Sequence, residues 1–144
     1  MIAHKHKLYY YSYHTMTIYE SGKESAQLDD ILAGKRTIEG RLCRGKFAQY
    51  QVGDRVWLRR DYRDDYGILH DGEPRQALIE IVGIRRYSTF AEMLQGEGYK
   101  KVIPYAENIE EAAAEFNRYY STDEQQQYGV LAIESALVDN SEAI

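Results

Sequence analysis

Only one cysteine, Cys43, stands in the 144-residue chain, so no internal disulfide can form and the fold rests on packing. Proline is as scarce, with Pro74 and Pro104 alone. No Pro- or Ser-rich linker and no internal repeat divide the sequence, which favours a single domain over residues 1–144. No run approaches the roughly 18 apolar residues of a membrane span, and the first residues, MIAHKHKLYYYSYH, have no apolar stretch of the kind a secretory signal needs. The expectation is a reduced, soluble, cytoplasmic protein with no membrane partner. A basic excess is also missing: the net charge is −5, which excludes a protein that coats polyanions with its whole surface. Phe and Trp are few, 3 and 1, whereas Tyr numbers 14, so the aromatic surface of this chain is largely phenolic.

The charge is unevenly placed. Residues 34–60 hold eight basic side chains, Lys35, Arg36, Arg41, Arg44, Lys46, Arg55, Arg59 and Arg60, against Glu39 and Asp54. That balance of +6 leaves −11 elsewhere, much of it in residues 104–144, where nine acids face one Arg. Guanidinium groups fork onto phosphates and phenol rings stack on bases, a combination suited to single-stranded nucleic acid. The plainer alternative is a solvated basic patch balanced by the acidic C-terminal half.

Hydrophobic period and punctuation suggest the element order β, α, β, β, β, α, α, β. A strand is expected over Leu8–Tyr19, with His14, Met16 and Ile18 on one face. Ser25 is placed to cap a helix carrying Leu28, Ile31 and Leu32 that ends at Gly34. A short strand follows over Thr37–Leu42, which aims Glu39 and Arg41 to one side. Val56, Trp57 and Leu58 follow a turn at Val52–Asp54, while Asp61–Pro74 is polar enough to suggest a hairpin end or a long loop. Ala77–Tyr87 is the strongest strand, apolar on both faces and therefore central. Thr89 or Ser88 opens a helix through Phe90, Met93 and Leu94 that ends near Gly96 and Gly98. Asn108 and Glu111, at capping-box spacing, open another through Ala112 and Phe116 to Tyr119. A last strand covers Tyr128–Ile133, and residues 1–7 and 139–144 are expected to be mobile ends. The sum is an α+β fold, a small curved or barrel-like sheet with helices at its margins.

The segment DDILAGKRTIEGRL, Asp29–Leu42, strongly resembles the ASCH domain of the PUA-like superfamily, in which a helix ends in G-x-K-x-x-E-x-R. Gly34, Arg36, Glu39 and Arg41 occupy those places, with Arg36 where the family usually has Lys and Lys35 beside it. The resemblance extends through Val52-Gly53-Asp54, through Ile81–Phe90, and through YYSTDEQQQYGVLAIE at Tyr119–Glu134. It implies a five- to six-stranded mixed β-barrel flanked by helices, with a cleft bordered by this loop, and a role in RNA binding or RNA-linked regulation. Some bacterial members are hydrolases, among them acetylcytidine amidohydrolases and a ribonuclease. In the amidohydrolases a Lys and a Thr three residues later act with a distant Glu. Those places fall here on Arg36, Glu39 and a position near Glu97.

The departure changes the chemistry. A guanidinium stays protonated and cannot act as the base, and a carboxylate is not the missing hydroxyl nucleophile, so that triad does not carry over. Lys35, Glu39 and Glu97 remain the catalytic candidates, with Glu97 between two glycines read as a loop acid. The binding candidates are Gly34, Lys35, Arg36, Glu39, Arg41, Arg44 and Lys46, for RNA or a nucleotide-like ligand. Their structural alternative is an Arg–Glu–Arg network closing the barrel mouth. A third reading is an adaptor that binds a protein partner through its acidic C-terminal half. His4, His6, His14 and His70 lack zinc-site spacing, and neither Gly22-Lys23 nor Gly34-Lys35 has P-loop spacing, so no metal or cofactor is expected. Cys43 reads as a small apolar filler.

Overall fold

The computed structural model describes residues 17–139. Residues 8–16 of the expected first strand, the expected mobile ends at 1–7 and 140–144, and His4, His6 and His14 lie outside the described residues.

Strand β1 (Ile18–Glu24) runs directly into helix α1 (Ser25–Leu32). Ser25 is not its cap. Glu24 holds that position without a side-chain capping bond, and Ser25 Oγ instead accepts from Arg60 Nη1 at 2.6 Å. Helix α1 buries Leu28 and Ile31 and is followed by Gly34 at φ 74°, a left-handed conformation that an L side chain resists. Strand β2 (Ile38–Leu42) and a short 3-10 helix (Gly45–Gln49) lead to a hairpin of β3 (Arg55–Arg63) and β4 (Leu69–Tyr87). The polar stretch Asp61–Pro74 is therefore the hairpin end, the first of the two alternatives expected, and not a long loop. Asp64 makes the turn, its Oδ1 accepting from Tyr66 N at 2.9 Å and Ile68 N at 3.0 Å.

Helix α2 (Phe90–Glu97) is capped by Thr89, whose side chain accepts from Glu92 N at 3.1 Å. Helix α3 (Tyr99–Val102) follows, then α4 (Ile109–Tyr119), where Asn108 accepts from Glu111 N at 2.8 Å. Helix α5 (Thr122–Tyr128) opens on a Ser121–Glu124 capping box, and β5 (Val130–Leu137) closes the chain. Neither α3 nor α5 is expected from the sequence pattern above, although Ser-x-x-Glu at 121–124 is a helix-start signal.

The strands form one sheet in the order β1-β3-β4-β5-β2, with β1 parallel to β3 and the other pairs antiparallel. It curls into a half-barrel flanked by the five helices, the α+β architecture expected. Period-two alternation along β5 divides the core. Val130 and Ala132 join Ile38, Leu42, Phe90, Met93 and Leu94 under the helices. Leu131 and Ile133 join Leu28, Val56, Leu58, Ile79 and Ile81 inside the half-barrel, with Cys43 packed at its margin. Strand β4 is central as expected, but its two faces are not equally apolar. The pairing steps from Ile81–Ser135 to Gly83–Glu134, and Val82 bulges out at 42% exposure.

The sheet does not close, because β1 and β2 are its two edges. Side chains span the seam: Lys23 Nζ on β1 donates to Glu39 Oε1 on β2 at 2.5 Å, and Lys46 Nζ donates to Glu20 O at 3.0 Å. The outer hairpin depends on one glycine. A Cβ on Gly72 would lie 1.8 Å from the backbone oxygen of Arg60, where the β3–β4 register already shifts. Gly72→Ala is expected to cost about 2 kcal/mol. Hydrogen exchange should show the loss confined to residues 60–73; uniform protection across the hairpin would contradict it.

Candidate functional site

The seam between β1 and β2 opens into a cleft of about 160 Å³. One wall is β2 with the segment that follows α1. The other is the C-terminal turn of α4 with residues 103–105.

Strand β2 reads Ile-Glu-Gly-Arg-Leu, and its parity builds the floor. Ile38 and Leu42 point under the helices. Gly40 faces the same way, where a Cβ would come 2.7 Å from Met93 Cε and 2.9 Å from Phe116 Cζ, so helices α2 and α4 can approach closely. Glu39 and Arg41 point to the opposite face, opposite Ile133 and Leu131. There Glu39 Oε1 accepts from both Lys23 Nζ at 2.5 Å and Arg41 Nε at 2.7 Å. Its other oxygen, Oε2, accepts from nothing among the described residues.

Burial raises the Glu39 pKa, but the charges of Lys23 and Arg41 and their hydrogen bonds outweigh it and hold the group at about 2. Burial pulls Lys23 below the ordinary lysine value, with Glu39 opposing. For Arg41 burial is again the largest influence, and Glu39 overcomes it, so its affinity for the proton rises. A carboxylate this acidic is a poor general base at neutral pH. In this state Glu39 is an ionised hydrogen-bond acceptor.

Arg36 reaches the same cleft from the loop after α1. Its position is set by main-chain bonds on either side: Lys35 N and Arg36 N both donate to Asp30 O, at 2.9 and 3.1 Å, and Thr37 N donates to Lys101 O at 3.1 Å. Arg36 Nε is buried and has no hydrogen-bond partner among the described residues, and burial lowers the group's pKa below the usual arginine value. Tyr105, Phe116, Tyr119 and Tyr120 supply aromatic lining. Behind them Phe90 stacks on Phe116 at 4.3 Å and on Tyr120 at 5.1 Å, which fixes that wall to the core.

The cleft brings together Arg36, Glu39 and Arg41 as the sequence suggests, and the other candidates are placed differently. Gly34 and Lys35 are exposed and outside the lining. Arg44 and Lys46 stand beyond Arg41 in an adjoining groove. Glu97 is neither a loop acid nor exposed. It lies in the last turn of α2 with its side chain 6% exposed, accepts from Arg85 Nε at 2.8 Å and from Tyr87, and is held below the ordinary carboxylate range chiefly by the Arg85 hydrogen bond. That cluster joins α2 to β4 and contributes nothing to the cleft lining.

The basic segment also divides. Arg59 and Arg60 are engaged with Asp61, Asp71 and Asp29, and Arg55 with Glu80, so the β3 arginines belong to the fold. Lys23, with its side chain 5% exposed, has no counterpart among the sequence candidates. The available signal is parity: Tyr19, Ser21 and Lys23 alternate onto the inward face of β1, and Ser21 and Lys23 are both buried. Among the described residues, no three His, Cys, Asp or Glu side chains converge on a metal position, and no helix is long and apolar enough to cross a membrane.

The family model described as "ASCH domain" matches residues 24–139. Two solved structures are similar along nearly their whole length. The crystal structure of the hypothetical protein PH0355 is 32% identical with a TM-score of 0.69, covering 85% of this chain and 100% of that one. The solution NMR structure of protein PF0455 from Pyrococcus furiosus is 30% identical with a TM-score of 0.66, covering 85% and 99%. No curated protein matches significantly.

Proposed function

The chain belongs to the ASCH domain family, and on that premise we propose that it binds single-stranded RNA, or a nucleotide derived from it, in the cleft between β1 and β2. The observation that carries this reading is the buried Nε of Arg36, without a hydrogen-bond partner among the described residues, in a cleft that also presents the second oxygen of Glu39. An orphaned buried donor costs the free protein stability, and an anionic or carbonyl acceptor on a ligand relieves that cost. Glu39 Oε2 complements it by accepting from a base amino group or a ribose hydroxyl, and the phenol and phenyl rings provide stacking surface. The network that spans the seam is Lys23–Glu39–Arg41 rather than the Arg–Glu–Arg set weighed from the sequence, and it supports this reading by holding the Glu39 acceptor in place.

Recognition, not turnover, fits these groups. Arg36 cannot deprotonate a nucleophile, Glu39 is held near pKa 2, and Glu97 is engaged elsewhere. Titration of labelled single-stranded RNA at rising salt should show affinity falling with a log–log slope of about −0.7 per phosphate contact. Arg36→Met should lose at least about tenfold in affinity, the equivalent of one charge-assisted hydrogen bond. Equal affinity in wild type and variant would remove the assignment.

A further inference from the structure

We infer that the ligand is a strand of at least two nucleotides, which leaves the cleft over Arg41 and Tyr120 and continues through the adjoining groove past Arg44 and Lys46. This rests on the binding reading above and extends it to the class of ligand.

The groove has a volume of about 310 Å³ and shares Arg41 and Tyr120 with the cleft, so the two form one path rather than separate sites. Their linings differ in charge. The cleft contains Glu39 and Glu115 beside its cations, whereas the groove is lined by Arg41, Arg44 and Lys46 with no acid. Arg41 is already paired with Glu39 where groove and cleft meet, whereas the other two cations are only weakly neutralised. Lys46 donates to a backbone carbonyl, Glu20 O, and Arg44 pairs with Glu124 at 3.2 Å across two substantially exposed side chains, a contact of the kind worth little in water.

Rings hold these cations in position. The Arg41 guanidinium lies 4.6 Å and Lys46 Nζ 5.4 Å from the Phe47 ring centroid, and the Arg44 guanidinium 5.3 Å from that of Tyr128. A cleft with a carboxylate acceptor and aromatic walls suits a nucleoside. A neighbouring groove of three cations without an acid suits the phosphates that follow along a strand. A free mononucleotide would leave the groove without an occupant.

The test compares each of the four ribonucleoside monophosphates with its homotrimer, by calorimetric titration of the full chain. The best-bound trimer is expected to exceed its monophosphate by about tenfold or more. In the Arg44→Ala/Lys46→Ala double variant that ratio should shrink to about threefold or less, and the trimer's salt slope should fall by about 1.4, two contacts at 0.7 each. Equal binding of monomer and trimer, a ratio that survives the double variant, or displacement of the trimer by a deca-glutamate peptide at matching concentration would each overturn the inference. Arg36→Met separates the two levels. If it weakens monomer and trimer alike while they bind equally, only the strand path fails. If it weakens neither, the cleft reading fails as well.

Discussion

Glu39→Ala is expected to destabilise the protein by about 3–5 kcal/mol, because it strips a buried ammonium of its counter-charge. Lys23 is 5% exposed and its only hydrogen-bond partner among the described residues is Glu39 Oε1. Arg41, at 32% exposure, loses the same oxygen but can turn toward water. The pair also spans the two open edges of the half-barrel, so its loss should loosen β1 and β2 together. Lys23→Met tests the other half. It leaves Glu39 with Arg41, and should cost less than Glu39→Ala. The double variant Lys23→Met/Glu39→Leu should recover most of the loss, since a packed apolar pair substitutes well for a buried ion pair. Chemical denaturation at pH 7 measures all three. If Glu39→Ala costs less than about 1 kcal/mol, the seam is not held by this pair.

The same carboxylate predicts an acid transition. Glu39 has a folded pKa of about 2, below its ordinary 4.5, so the unfolded chain binds its proton first as pH falls. The stabilisation is therefore complete above about pH 4.5 and is lost progressively between there and about pH 2. Its size is on the order of 3 kcal/mol, at 1.36 kcal/mol for each pH unit separating the two states. Glu39→Gln should flatten the dependence of stability on pH across that window.

The parity of β2 is legible in the sequence because a strand alternates whatever surrounds it: Ile38, Gly40 and Leu42 one way, Glu39 and Arg41 the other. The caps at Thr89 and Asn108 are legible for the same reason, since the bond from side chain to backbone spans only three residues. Lys23 and Glu39 lie 16 residues apart and meet only because the order β1-β3-β4-β5-β2 brings the first and last strands of the sheet round to face each other. No local pattern encodes that closure. Glu97 misleads in the opposite way. Flanking glycines signal a turn, yet Gly96 lies within the helix and is glycine because Tyr87 packs where a Cβ would be, 2.8 Å from the ring Cε1. The +6 segment likewise overstates the cationic surface left open, because charge counts do not reveal that Arg59 and Arg60 are taken by Asp61, Asp71 and Asp29.

Arg36→Met should separate function from stability more sharply than any other substitution in the cleft. Met preserves much of the aliphatic stem that packs along the wall while removing the orphaned Nε. A buried donor without a partner costs about 1–3 kcal/mol, so the free variant is expected to be more stable than wild type by about 1 kcal/mol or more. Ligand affinity should move the other way. A charge-assisted hydrogen bond contributes about 1.5–3 kcal/mol, which is roughly 10- to 150-fold in dissociation constant. Arg36→Lys restores the charge found at this place in the family but not the planar fork, and should fall between the two. A structural role for Arg36, bracing the loop after α1, makes the contrary prediction: stability and binding fall together in Arg36→Met and return together in Arg36→Lys. Melting curves with and without ligand distinguish these outcomes. In the binding case the ligand-induced rise in Tm shrinks in Arg36→Met although its ligand-free Tm is the higher, because stabilisation by a ligand follows its affinity for the folded state alone.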